Sequence, residues 1–177
     1  LTLDAYLHPW IGSALRHVSA SHDVDPLDFS WAGRSSLNRW NGPDQPTLYL
    51  AGDESVLITE WGRHFYTQST PGAEYRTQQR RVLRFHLAID HMLDLRDQAI
   101  WNELSLDDAP ACFLNISMAR VISDFIRTTT AAQGLIVPPV GLLDQPNRWN
   151  LVLFLEKLPE PARFVTRVTP QGSLQRG

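Results

Sequence analysis

A chain of 177 residues and 20.1 kDa fits one domain, taken here as residues 1–177, and surface scaling allows about 70% of its unfolded area to be buried, enough for a self-sufficient core. With 43% apolar residues, 20% charged residues and a net charge of −3, it is neither a disordered polyelectrolyte nor a strongly basic protein that grips nucleic acid without specificity. Cys112 is the only cysteine. That excludes an internal disulfide framework, reads as a small core residue and points to a reducing, cytoplasmic setting. No apolar run reaches the length of a membrane helix and no basic-then-apolar leader opens the sequence. The first residue is Leu1 rather than Met, so the native start need not be present. Lys157 is the only lysine; an arginine bias suits bidentate grip on carboxylates and phosphates, and source-genome composition produces the same bias.

In chain order, Leu3 to Leu15 reads as a short helix with Pro9 marking a break or a first turn. Residues 20–46 are rich in Ser, Asp, Gly, Pro and Asn and read as long loops, which in a small domain are usually functional. Thr47–Ala51 is a compact strand after Pro46, and Asp53 is placed to cap a helix over Ser55 to Phe65, whose apolar residues Val56, Leu57, Trp61 and Phe65 share one face. Leu83, Phe85, Leu87 and Ile89 alternate with Arg84, His86 and Ala88 as in a strand, which Met92 to Leu95 could extend. Residues 98–130 read as two helical pieces broken around Asp107 to Pro110, the second from about Ser117 to Thr129. Gly134 ends that helix, Leu135 to Val137 and Leu151 to Leu155 are short apolar strands, and Phe164 to Val168 is a last strand. Irregular mixing of strands and helices gives an α+β fold, with a central, mostly antiparallel sheet flanked by helices.

Three places carry residues suited to chemistry. Glu60 falls three residues after Leu57 and four after Val56, at the border of the buried helix face. A carboxylate there either snorkels outward or pairs with Arg63, or it is an inward acid in a pocket. Arg39-Trp40-Asn41-Gly42 lies in the long loop before the strand holding Tyr49. Its arginine can clamp a phosphate while the ring stacks on a base or sugar, or it is a surface arginine beside a core tryptophan. Arg16-His17 is the third. The histidines show no metal-ligand spacing, and phosphate-loop, dinucleotide-fingerprint and nucleophile-elbow motifs are absent from the sequence. No metal is therefore expected.

Taken in order, Arg39-Trp40-Asn41-Gly42, Thr47-Leu48-Tyr49-Leu50-Ala51 and Glu60 on the following helix resemble the core of the RES domain, a family named for an arginine, a glutamate and a serine. Gly134 to Pro138 followed by Asn150 to Phe154 resembles the family's C-terminal half, and Arg16 its early arginine, usually followed by an aromatic and here by His17. The resemblance covers about residues 14–156. It implies a fold similar to ADP-ribosyltransferases and action on NAD, by hydrolysis, phosphorolysis or transfer of ADP-ribose to a protein. It further implies Glu60 and Arg39 as catalytic residues, with Arg16, His17, Arg39, Tyr49 and Asn150 around the NAD. Family members include toxins of bacterial toxin–antitoxin pairs. The implied partner is therefore an Xre-like helix-turn-helix antitoxin that blocks the cleft in a hetero-oligomer, with no direct nucleic-acid or membrane partner. One position departs: where the family's serine follows the proline of the Gly134–Pro138 stretch, this chain has Pro139. Proline brings neither hydroxyl nor N–H, so the domain could instead be a weakened enzyme that binds NAD or an antitoxin. Ser117 and Ser123 are not at the motif position.

Overall fold

The computed structural model describes residues 3–20, 25–35, 38–68 and 78–176, the side chains of 63–68, 78, 175 and 176 excepted. Six strands, β1 (His8–Ser19), β2 (Thr47–Ala51), β3 (Gln78–Asp94), β4 (Gly134–Val137), β5 (Asn150–Phe154) and β6 (Val165–Arg176), form one sheet in the order β1-β2-β5-β4-β3-β6. An additional β1–β3 pairing closes five of them into a ring. Only β3–β4 is parallel; the other pairings are antiparallel. The helices are α1 (Glu54–Gln68), α2 (Gln98–Glu103), α3 (Ile116–Thr129) and the single turn α4 (Pro161–Phe164).

Strand alternation divides the interior into three cores. Ala14, Val18, Leu48, Leu50, Phe85, Leu87, Ile136, Leu151, Leu153 and Val165 share one buried cluster to which all six strands contribute. The intervening residues Leu135, Val137, Val152 and Phe154 face the other way, against Ala119, Ile122 and Ile126 of α3 and Phe113. Each such aliphatic side chain contributes roughly 1.5–3 kcal/mol when fully buried. A third, smaller cluster seats Val56 and Leu57 of α1 on Leu15, Ala51 and Val82. Cys112 is buried with the α3 cluster, and burial pushes its thiol above the usual range.

The first segment departs from expectation. Only Leu3–Tyr6 is helical, as a 3₁₀ turn, and His8–Ser19 is a strand that runs through Pro9. Its residues pair from Trp10↔Ile89 to Ser19↔Arg80 along β3. Pro9 sits where the register shifts between His8 and Trp10, an irregularity at which a missing N–H breaks no ladder bond. Gly134 lies inside β4 and does not end α3, whose cap is Thr130. A Cβ there would stand 2.7 Å from the Val152 carbonyl, so glycine is needed for strand contact. The last strand is longer than expected because Arg80, Arg81 and Val82 of β3 recruit Leu174, Ser173 and Gly172. Asp53 caps α1, accepting from the Val56 N–H at 3.1 Å. Among the described residues no helix is long and apolar enough to cross a membrane.

Among the described residues, Arg127 of α3 is the charged side chain with the least exposure, 5%. It donates to Glu156 at 2.7 Å and to the Thr47 hydroxyl at 2.8 Å, with its guanidinium 4.1 Å from the centre of the Phe154 ring. A buried charge that loses its counter-ion is strongly destabilising. Because the Glu156 side chain is 38% exposed, water replaces it in part, and Glu156→Ala is expected to lower unfolding free energy by about 1–2 kcal/mol, measured by urea denaturation. A change under about 0.5 kcal/mol, the scatter of ordinary surface substitutions, would show that Arg127 does not depend on this ion pair.

Candidate functional site

A cavity of about 490 Å³ opens where β1, β2, β5, α1 and the loop before β2 converge, within the range of small-ligand sites. Its walls include Arg16 and His17 of β1, Tyr49 of β2, Glu60 of α1, Asn150 of β5 and Arg39 of the loop. The pairings Leu15↔Ala51 and Ala51↔Asn150 put these three strands side by side at that level.

Glu60 reaches the cavity because α1 is fixed at its start. Asp53 both caps the helix and pairs with Arg148 of the segment before β5. Burial works against the charged Asp53 carboxylate, but the Arg148 and backbone hydrogen bonds outweigh it and hold the group below its usual range. With Val56 and Leu57 buried beneath the helix, Glu60 stands at the border, half-buried. Its Oε1 is closed off from solvent rather than carried out into water. The Arg63 side chain, the expected alternative partner, lies outside the described residues.

The Arg39–Gly42 segment is held from three sides. Arg39 Nη1 donates to the carbonyls of Phe113 and Leu114, at 2.7 and 2.8 Å. Part of the guanidinium is thus spent on tying the loop to the turn before α3. Trp40 lines the cavity but offers a ligand little surface: it is 3% exposed, with its ring 5.2 Å from that of Phe113. The Trp40 carbonyl accepts from the Ser123 hydroxyl at 2.6 Å, which gives Ser123 a structural role. The Tyr49 hydroxyl donates to Asn41 Oδ1 at 2.7 Å and accepts from the Trp40 N–H at 3.0 Å. The Tyr49 ring remains a wall of the cavity.

On β1, the two neighbours point to opposite faces. Arg16 lies over the Phe29 ring, 5.4 Å from its centre. Burial and the nearby Arg80 charge lower its pKa, and Asp28 opposes them only in part. Because arginine keeps its proton in proteins, the half-buried Arg16 guanidinium on the cavity wall favours an anion. His17 Nδ1 accepts from Arg80 Nε at 3.1 Å, which assigns the neutral ring's proton to Nε2. The His17 ring lies 5.8 Å from that of Trp61.

Pro139 is buried and is not part of the cavity wall, whereas Pro138 and Val140 are. Ser35, Arg34 and Trp31 of the long loop also line the site, and sequence reasoning singled out none of them. The one available signal was Trp31 itself, a large aromatic in a loop rich in Ser, Asp, Gly, Pro and Asn.

Burial raises the Tyr49 pKa well above the usual tyrosine range. The folded chain then holds this proton at pH values where the unfolded chain loses it. The associated stability is complete below about pH 10 and is lost as pH rises further. Tyr49→Phe leaves the Trp40 N–H and Asn41 Oδ1 without that hydroxyl, at a cost of about 1–3 kcal/mol near neutral pH. Chemical denaturation across pH should show this cost together with a shallower alkaline loss. A Tyr49→Phe protein as stable as the parent would contradict the assigned role.

Comparison with known proteins bears on the whole chain. The family model of the RES domain matches residues 14–176, past the 156 at which the resemblance in the sequence stops. A search of curated proteins gives no match. Among solved structures, the M. tuberculosis MbcT-MbcA toxin-antitoxin complex contains a chain of similar fold, with TM-score 0.64 and 18% identity, covering 98% of this chain and 88% of that one. With the family model spanning nearly the full sequence and the Arg39, Glu60 and Asn150 segments gathered on one cavity, the chain belongs to the RES domain family.

Proposed function

We propose that the protein is an NAD-consuming enzyme that cleaves the nicotinamide–ribose bond in this cavity, by hydrolysis or phosphorolysis. The observation that carries the reading is the pairing of opposite charges on one wall system. Glu60 is half-buried with one oxygen shut off from water, and half-buried Arg16 lines the same cavity. A dinucleotide with a cationic nicotinamide and an anionic pyrophosphate matches that polarity.

In this mechanism Arg16 and the part of Arg39 that faces the cavity hold the pyrophosphate. The Tyr49 ring packs beside the nicotinamide, and His17 and Asn150 complete the pocket. The C1′–N bond breaks heterolytically and its electron pair returns to the nicotinamide nitrogen, which becomes neutral. Positive charge passes to the ribose as an oxocarbenium-like centre. The Glu60 carboxylate stabilises that charge, in surroundings dry enough for the interaction to be strong. Water then adds at C1′ and releases a proton, giving ADP-ribose, nicotinamide and H⁺; phosphate adds in its place in phosphorolysis. No group of three or more potential metal ligands occurs among the described residues, and this scheme assigns no step to a metal.

A second reading, a weakened enzyme that chiefly binds NAD or an antitoxin, rests on Pro139 in place of the family serine and on its position off the cavity wall. Transfer of ADP-ribose to a protein is the third. An Xre-like helix-turn-helix antitoxin as partner has support in the RES family membership and in an apolar stripe beside the cavity. Leu114, Met118 and Val121 are exposed there, next to Ile116 on the rim. A cytoplasmic setting follows from the same reading.

Incubation of the protein with NAD, with and without phosphate, separates these readings. Free nicotinamide without labelled protein is the expected result. Labelled protein would indicate transfer, and unchanged NAD would favour the binding reading. Glu60→Gln keeps the shape and removes the charge, so turnover should fall on the order of 10²-fold or more, as on loss of an oxyanion-type contact. Full activity in a folded Glu60→Gln protein would remove Glu60 from the mechanism.

A further inference from the structure

Trp31 is 74% exposed, yet it lines the cavity. Leaving a large aromatic in water forgoes a considerable burial free energy, and this one is held there by structure. It sits in a turn in which Ala32 N–H bonds to the Phe29 carbonyl at 2.9 Å. Phe29 is buried among the core rings. The next residue, Gly33, has φ +81°, and a Cβ there would meet Thr47 N at 2.6 Å. Only glycine lets the turn come this close to β2. The Gly33 carbonyl accepts from Asn41 Nδ2 at 2.7 Å, which links the turn to the Tyr49–Asn41 bond. On the other side of Trp31, the Arg34 guanidinium stands 4.4 Å from the ring centre, and its Nε donates to the Ser30 carbonyl at 3.1 Å. The aromatic face is thus held by a cation and a braced turn at the mouth of the cavity.

From this geometry we infer that Trp31 and Arg34 form a stacking platform for the nucleobase at the far end of the substrate. This rests on the reading of the cavity as a dinucleotide site, and it names Trp31 as a residue that selects for a base-bearing ligand. Every nucleobase offers a π-face to a fixed aromatic ring, and loss of such a ring typically costs about 5- to 150-fold in affinity per stacked base. Arginine stacked on the ring places a cation beside the phosphate that accompanies the base. Glu60 and Trp31 on one cavity then hold opposite ends of one ligand.

Equilibrium binding of AMP and of ribose 5-phosphate, which lacks the base, tests this without any turnover. AMP should bind wild-type protein about tenfold or more tightly than ribose 5-phosphate. Trp31→Ala should erase the difference by weakening AMP alone, and Trp31→Phe should restore most of it. Trp31→Leu keeps apolar bulk without a π-face and should behave as Ala does, so it reports if Trp31→Ala fails to fold. Equal binding of the two probes to wild type, or a difference that survives Trp31→Ala or Trp31→Leu, overturns the platform. Protein that shows the Trp31-dependent difference yet leaves NAD intact would keep the platform and remove the cleavage reading.

Discussion

The site depends on the closure of the sheet between β1 and β3. Twelve residues of β1 run beside β3 from His8 to Ser19, and a single register contact, Leu15↔Ala51, joins β1 to β2 on its other side. That one contact brings Arg16 and His17 to the level of Tyr49 and Asn150. It also forms the floor on which Val56 and Leu57 seat α1. The packing of two apolar residues on a strand junction therefore sets where the helix that carries Glu60 lies. Antiparallel pairing of long strands specifies the register, because a one-residue slip would turn Ala14 and Val18 outward.

A second layer of constraint surrounds the loop before β2. The hydroxyl of Tyr49, the amide of Asn41, the carbonyl of Gly33 and the guanidinium of Arg39 connect the loop to β2 and to the turn before α3. Much of what the family motif contains is thereby scaffold. Trp40 and Ser123 are core partners, and Asn41 is a buried bracket. The motif residues that line the cavity include Arg16 and His17, a part of Arg39, the ring of Tyr49, Glu60 and Asn150. Buried polar networks of this kind hold a site rigid provided that each member is satisfied.

What could be read from the sequence follows physical locality. β2 is bounded by Pro46 and Gly52, is an apolar run buried on both faces except at half-buried Tyr49, and was legible to the residue. α1 and α3 carry their own caps in Asp53 and Asn115 and were legible to within a few positions. β1 was not, because Pro9 and the mixed pattern around it suggest a helix start until β3 supplies a partner. The polar end of β6 was missed for the same reason, since Thr169 to Leu174 become a strand only by pairing with β3. Of the site, Glu60 was visible as a carboxylate on an apolar helix border, and the gathering of Arg16, His17, Arg39, Tyr49 and Asn150 followed from resemblance. The roles of Trp31 and Ser35 were hidden, because loop geometry set by Gly33 has no periodicity to read.

The proposed cleavage requires Glu60 to face the bond that breaks, and a crystal structure of the Glu60→Gln protein with NAD tests this most directly. NAD is expected in the cavity with the nicotinamide ribose C1′ against residue 60 and the pyrophosphate against Arg16. NAD bound outside the cavity, or bound in it with the adenine end beside residue 60, would contradict it.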